Sequence, residues 1–212
     1  MTTYDGYLLI MLGSGLVAPI IYFLNILSAA AVYPGYRHRS QFISELGTRI
    51  SPGARHFNRW LGVTGTMLVV FAFGVYESLG SQKEALGILL GLVLFGLTVG
   101  LMALFPCDPG CPRTPQSRTG VAHGFFGVLG ALAFVTSVAL FCFVCRVIHP
   151  IFAIYSLVTV LASTLFLVIL MLEGTSGWQG IWQRIYAGVI FSWVLALSGL
   201  ILISGRGLWQ FH

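Results

Sequence analysis

Charge is what this sequence has least of. Of its 212 residues only 8% are Asp, Glu, Lys or Arg, against roughly 25% in an ordinary soluble domain. Six acids stand against eleven basic residues for a formal charge of +5, and 57% of the chain is hydrophobic, with a mean hydropathy of +0.92. A soluble domain of 23.0 kDa needs polar side chains over its surface, so a soluble fold is excluded. The N-terminus also lacks the positive start of a signal peptide, carrying only Asp5. Its first apolar run exceeds the roughly 7–15 residues of a signal core. It therefore reads as a span, although Ala29, Ala30 and Ala31 offer a small-residue cleavage site.

The fingerprints of several chemistries are missing as well. There is no phosphate loop, hydrolase elbow or dinucleotide motif. The five histidines supply neither the three ligands of a hydrolytic zinc site nor an opposed pair for haem b. No metal, no cofactor and no nucleic-acid partner are expected. Cys142 and Cys145 form a C-x-x-C pair, but in the last turns of an apolar helix, where they serve as small hydrophobes.

Six apolar runs are present, near 7–32, 60–79, 85–106, 120–146, 149–172 and 182–204. Each is long enough for a hydrocarbon core of about 30 Å, which takes roughly 20 residues of helix. Backbone in lipid must bond internally, and barrel strands would alternate and be about half as long. The prediction is an all-α, polytopic six-transmembrane-helix bundle with residues 1–212 as a single domain. Glycines at four-residue spacing, as in Gly87/Gly91, Gly96/Gly100 and Gly120/Gly124, predict close helix packing.

Six spans place the loops after the first, third and fifth helices on one side, with both termini and the other loops opposite. Eight of the eleven basic residues, all arginines, fall on the first side. The positive-inside rule predicts that this face is cytoplasmic and that the termini lie outside the cell membrane. Cys107 and Cys111 flank a turn there. A disulfide suits them only if the face is periplasmic, and so short a ring is geometrically demanding, so free thiols are expected.

Polar residues are costly in a membrane and mark function. Here they gather in three clusters on the arginine-rich face. The first runs from Gln41 through Ser44, Glu45 and Gly47 to Arg55, Asn58 and Trp60. Its apolar Phe42, Ile43 and Leu46 predict a segment in the interface or folded back into the bundle. Ser51-Pro52 is expected to open the second helix as N-cap and first helical residue. The second cluster holds Asp108 in a turn fixed by Pro106, Pro109 and Pro112, then Arg118 and His123. The third holds Glu173, Trp178, Gly180, Gln183 and Arg184, with Trp178 and Trp182 as interfacial anchors.

Ile43-Ser44-Glu45-Leu46-Gly47 with Asn58, Phe105-Pro106-Cys107-Asp108 with His123, and Gly180 with Gln183-Arg184 resemble the membrane family catalogued as domain of unknown function 998. The likeness covers nearly the whole chain. More distantly, the Ser-Glu-Leu-Gly turn is similar to one in the Frag/DRAM/Sfk group of six-helix proteins, some linked to lipid or lipid-anchor handling. The resemblance implies architecture and positions, with no activity attached.

Together the clusters predict a polar, arginine-rich cup over an apolar interior, suited to membrane lipids and to an anionic lipid headgroup. Asn58, Arg55, Arg118, Glu173, Gln183 and Arg184 are the expected binding residues. If the headgroup is modified, Asp108 or Glu45 with His123 would be the acid/base pair. The rival readings are a scaffold whose loops merely close the bundle and a transporter, for which Asn25 and Pro19 in the first span are the clear candidates.

Overall fold

The computed structural model describes residues 6–80, 83–172 and 177–204. Among these residues six α-helices run α1 (Gly6–Ala31), α2 (Ala54–Leu79), α3 (Ala85–Leu104), α4 (Arg118–Ile148), α5 (Pro150–Leu172) and α6 (Gln179–Ser204), with a 3-10 turn at Ile43–Gly47 between α1 and α2. All six helices are long and apolar enough to cross a membrane, and no strand occurs among the described residues. The chain is an all-helical, multi-pass membrane protein.

α2 starts well before its apolar run because its first turns are amphipathic. Arg55 and Arg59 are exposed, while Phe57 and Leu61 are buried, so the helical period continues through the charges. Ser51 and Pro52 do not open the helix, as was expected of them. The N-cap is Gly53. Residues before it are drawn into successive tight turns, with Thr48 N–H donating to Glu45, Ser51 to Thr48 and Ala54 to Ser51 at 3.2, 3.0 and 3.1 Å. Ser51 thus closes a turn with its backbone and keeps a buried side chain.

Each helix packs on its neighbour in sequence, and α6 closes the ring against α1. α2 and α3 meet backbone to backbone. A Cβ added at Gly65 would lie 2.5 Å from Gly100 N, and one at Gly96 would lie 2.8 Å from Val69 N, so only glycine permits the approach. On the other side of the ring, fully buried Trp193 of α6 packs edge-on against Phe134 and Phe141 of α4, both with centroids 5.6 Å away. Its Nε1 donates to Ser156 Oγ of α5 at 3.0 Å. Each such ring pair contributes about 0.5–1.5 kcal/mol beyond burial.

That cluster fastens only the half of α4 and α5 near their junction. Apart from Gly120, the buried residues of α4 begin at Gly130, and those of α5 end at Ser163. From the His149 junction the two helices are well buried at first and, Gly120 apart, bury no residue toward the arginine-rich face. The bundle is therefore solid at one end and hollow at the other.

Candidate functional site

The loop from α1 to α2 folds back as a roof over the hollow end, as its apolar residues predicted. Ile43, Glu45, Leu46 and Gly47 are buried. Glu45 holds its own turn: Oε1 accepts from Phe42 N–H at 2.8 Å and Oε2 from Gln41 Nε2 at 3.1 Å. From α2, Asn58 Nδ2 donates to the Gly47 carbonyl at 2.9 Å. From α6, Gln183 Oε1 accepts the Ile43 N–H at 2.5 Å, and its Nε2 donates to Ser44 Oγ at 3.1 Å. One side chain thereby satisfies a donor of the buried Ile43 that the short turn leaves free.

Arg184, one residue on, ties the rest of the loop. Its guanidinium donates to the carbonyls of Gln41 and Gly180 at 3.1 and 2.7 Å and to Tyr36 Oη at 2.8 Å, and it lies 3.0 Å from His38 Nδ1. These partners are neutral. Burial, more than the opposing pull of Arg184, holds the Tyr36 hydroxyl above its ordinary pKa. Burial and then Arg184 push His38 below the usual histidine range. Gly180 is fixed by space: a Cβ there would run into the carbonyl oxygens of Gln41 and His38 and lie 2.9 Å from that of Arg39. Ile181 N–H donates to this last carbonyl at 3.2 Å. Trp178 is exposed, as an interfacial anchor would be, with Arg39 4.9 Å above its ring. Trp182 instead stacks on Phe166 at 6.1 Å.

The α3–α4 turn is built differently. Cys107 and Cys111 are joined as a disulfide, where free thiols had been expected. Their Cα atoms are 5.3 Å apart, within the range a bridge requires, because Gly110 and Cys111 both take positive φ and fold the turn tightly. Asp108 inside this ring reaches across to the start of α4. Its carboxylate accepts from Gln116 N–H at 2.7 Å, Ser117 N–H at 3.1 Å and Ser117 Oγ at 2.5 Å. The Ser117 hydroxyl, followed by the two amides, draws its pKa below the usual carboxylate value. Ser117 in turn caps α4, accepting from Gly120 N–H at 3.0 Å.

Beneath the roof lies a cavity of about 280 Å³. Most of its polar groups sit at the roofed end: Ser44, Asn58, His123 and Gln183, with Tyr186 and Tyr22 beside them. Deeper in, the only other polar lining residue, Thr98, gives its hydroxyl to the Phe95 carbonyl at 2.8 Å, and the rest of the wall is apolar or glycine, including Phe95, Met102, Gly127 and Leu167. His123 Nδ1 is 2.9 Å from the Phe105 carbonyl oxygen. A carbonyl only accepts, so Nδ1 carries a proton, and when the ring is neutral Nε2 is an acceptor.

Of the residues singled out in the sequence, Asn58, His123 and Gln183 converge on this cavity. Glu45 and Arg184 build its roof, and Asp108 braces the neighbouring turn. Arg55 and Arg118 are exposed and do not line it. Glu173 lies outside the described residues. Asn25 joins α1 to α2 through Nδ2 and the Phe57 carbonyl at 3.0 Å. Tyr36, Thr98, Tyr186 and Gly127 were not singled out. Only Tyr36, a hydroxyl within the polar loop, carried a usable signal.

No curated protein and no solved structure matches the chain. A family model described as a protein of unknown function does match, over residues 16–199, a stretch that contains the roof, the cavity and the α3–α4 turn. The chain therefore belongs to the membrane protein family DUF998.

Proposed function

We propose that this protein binds a membrane lipid or related amphiphile under the roof. An uncharged polar part of the ligand would meet Ser44, Asn58, His123 and Gln183, and an apolar part would fill the remainder. The observation that carries this reading is the cavity itself: apolar for most of its wall, polar at one end, and set at the arginine-rich end of the bundle. Such sites bind by apolar burial and orient by a few polar groups. About 280 Å³ is just below the roughly 300–1,000 Å³ of sites that enclose drug-sized ligands, so the cavity suits part of a lipid.

The charges divide between two places. Every side chain named at the polar end is neutral or, in His123, an acceptor, which favours ester, hydroxyl or amide groups inside. An anionic headgroup would instead meet the exposed Arg55 and Arg118 outside. Were the headgroup modified, His123 Nε2 would be the base. The carboxylates of Glu45 and Asp108 are engaged by their own turns, which favours binding and presentation over turnover. Lipid extracted from the purified protein and identified by mass spectrometry tests the reading. Enrichment of particular lipids over the bulk membrane, lost in Asn58→Leu, supports it, and bulk composition in both proteins refutes it.

For sidedness we favour the orientation opposite to the charge count. A disulfide persists in an oxidising compartment, which would place the arginine-rich face outside and the termini in the cytoplasm. The arginine count on that face is inflated by residues with structural tasks, Arg184 in the roof and Arg39 over Trp178.

A further inference from the structure

We infer that the cavity is filled sideways from the bilayer, by an acyl chain of a lipid in the leaflet of the arginine-rich face, through a gap between the first turns of α4 and the last turns of α5. This rests on the lipid-binding reading above and adds the part of the lipid that enters and its route.

Two residues that line the cavity are also exposed. They are Gly124 of α4 and Met171 of α5, which is 49% exposed. Both belong to the stretches where, Gly120 apart, these helices bury no residue, before Gly130 in α4 and after Ser163 in α5. No Cβ stands in the way at Gly124, where an added one would meet nothing within 4 Å. At Gly127, one turn deeper, the nearest atom would be Met102 Sδ at 3.9 Å. The α4 side of the opening is thus a bare strip of backbone leading inward.

The rim identifies the occupant. The exposed side chains flanking the gap, Val121, Phe125, Val168 and Leu172, are all apolar, so a hydrated solute would shed its water to pass and a hydrocarbon chain would not. Depth agrees. Gly124 lies six residues into α4, about 9 Å below Arg118 at 1.5 Å per residue, so a chain entering there would leave its headgroup near that exposed arginine. The roofed side is closed to such a ligand by the bonds from Gln183, Asn58 and Arg184. On the α5–α6 side the stacked pair Phe166–Trp182 bridges the helices.

The test uses the full-length protein in phosphatidylcholine–phosphatidylglycerol vesicles carrying phosphatidylglycerol with a photoactivatable diazirine midway along one acyl chain. A parallel arm carries the same group on a free fatty acid. After illumination, peptide mapping should find label on cavity residues such as Met102 and Leu167 from the phospholipid. Gly124→Phe should reduce that inner label several-fold, as should Met171→Trp, which blocks the same gap from α5 should the first variant fold poorly. Gly13→Phe on α1, a control also open to added atoms, should leave it unchanged. Undiminished inner label in both blocked variants overturns the route and leaves lipid binding standing. Inner label from the fatty acid alone overturns the membrane-lipid source. Label confined to outward residues in the unmodified protein overturns both the route and the binding reading.

Discussion

Gln183 on α6 accepts the backbone N–H of Ile43, 140 residues earlier, at 2.5 Å, and this bond fastens the roof turn to the opposite end of the chain. Ile43 is buried, so Gln183→Ala leaves its amide without a partner and removes the Ser44 contact. A buried donor stripped of its acceptor costs about 1–3 kcal/mol. Thermal unfolding in detergent should show a loss of that order, together with faster proteolysis of the 33–53 loop. An unchanged melting temperature would mean that the roof is held by its other bonds alone.

Gly180 and Gly188 offer a matched pair on the same helix. Alanine at Gly180 would press against loop carbonyls that belong to backbone, whereas Gly188 has nothing within 4 Å of the added atom. Overpacking costs about 1–3 kcal/mol, and relief of glycine's entropy in a helix returns roughly 0.5–1 kcal/mol. Gly180→Ala should therefore lower the melting temperature and Gly188→Ala should hold or raise it. Equal effects would show that the loop yields at Gly180.

The Asp108 turn sets a pH dependence whose sign is fixed by the direction of its shift. The folded protein holds this carboxyl below its ordinary value, and the unfolded chain returns it to about 3.9. Its contribution is fully present above that pH and is lost as pH falls from there through the lower folded value. Melting curves taken down from neutral pH should show an acid limb that flattens in Asp108→Asn, with lower stability of the variant at neutral pH. An acid limb identical in the two proteins would assign the dependence to other carboxylates.

The six spans were legible because hydropathy over twenty residues is a property of sequence alone, and the roof was legible as a polar cluster with apolar residues inside it. What each polar residue does was not. Asp108 and Glu45 looked like catalytic carboxylates, yet each is taken up within its own loop, Glu45 by the Phe42 amide and Asp108 by the Ser117 hydroxyl and the Gln116 and Ser117 amides, a local matter of turn geometry. Arg55 and Arg118 shared a face with His123 in sequence, and only helix rotation shows that they point away from the cavity. Gly120 and Gly124 read as one packing motif. Gly120 does pack against Asp108, while an atom added at Gly124 would meet nothing within 4 Å. A void arises from how helices diverge, and no single residue announces it.

Orientation is open to direct measurement on the Cys107–Cys111 pair, with Cys142 and Cys145 replaced by alanine. An impermeant maleimide should fail to label intact cells until an impermeant reductant is added, and then label them. Labelling without reductant, and only after the membrane is opened, would return the arginine-rich face to the cytoplasm.

The central claim is that the cavity beneath the roof holds lipid, and native mass spectrometry of the purified protein compared with Gly127→Leu tests it most directly. Leucine at that position projects into the cavity near Met102 and displaces no backbone, so the fold should survive and the space should be filled. The account predicts a lipid retained by the unmodified protein as detergent is stripped and absent from Gly127→Leu at unchanged melting temperature. Equal lipid retention by both proteins, or none by either, would contradict it.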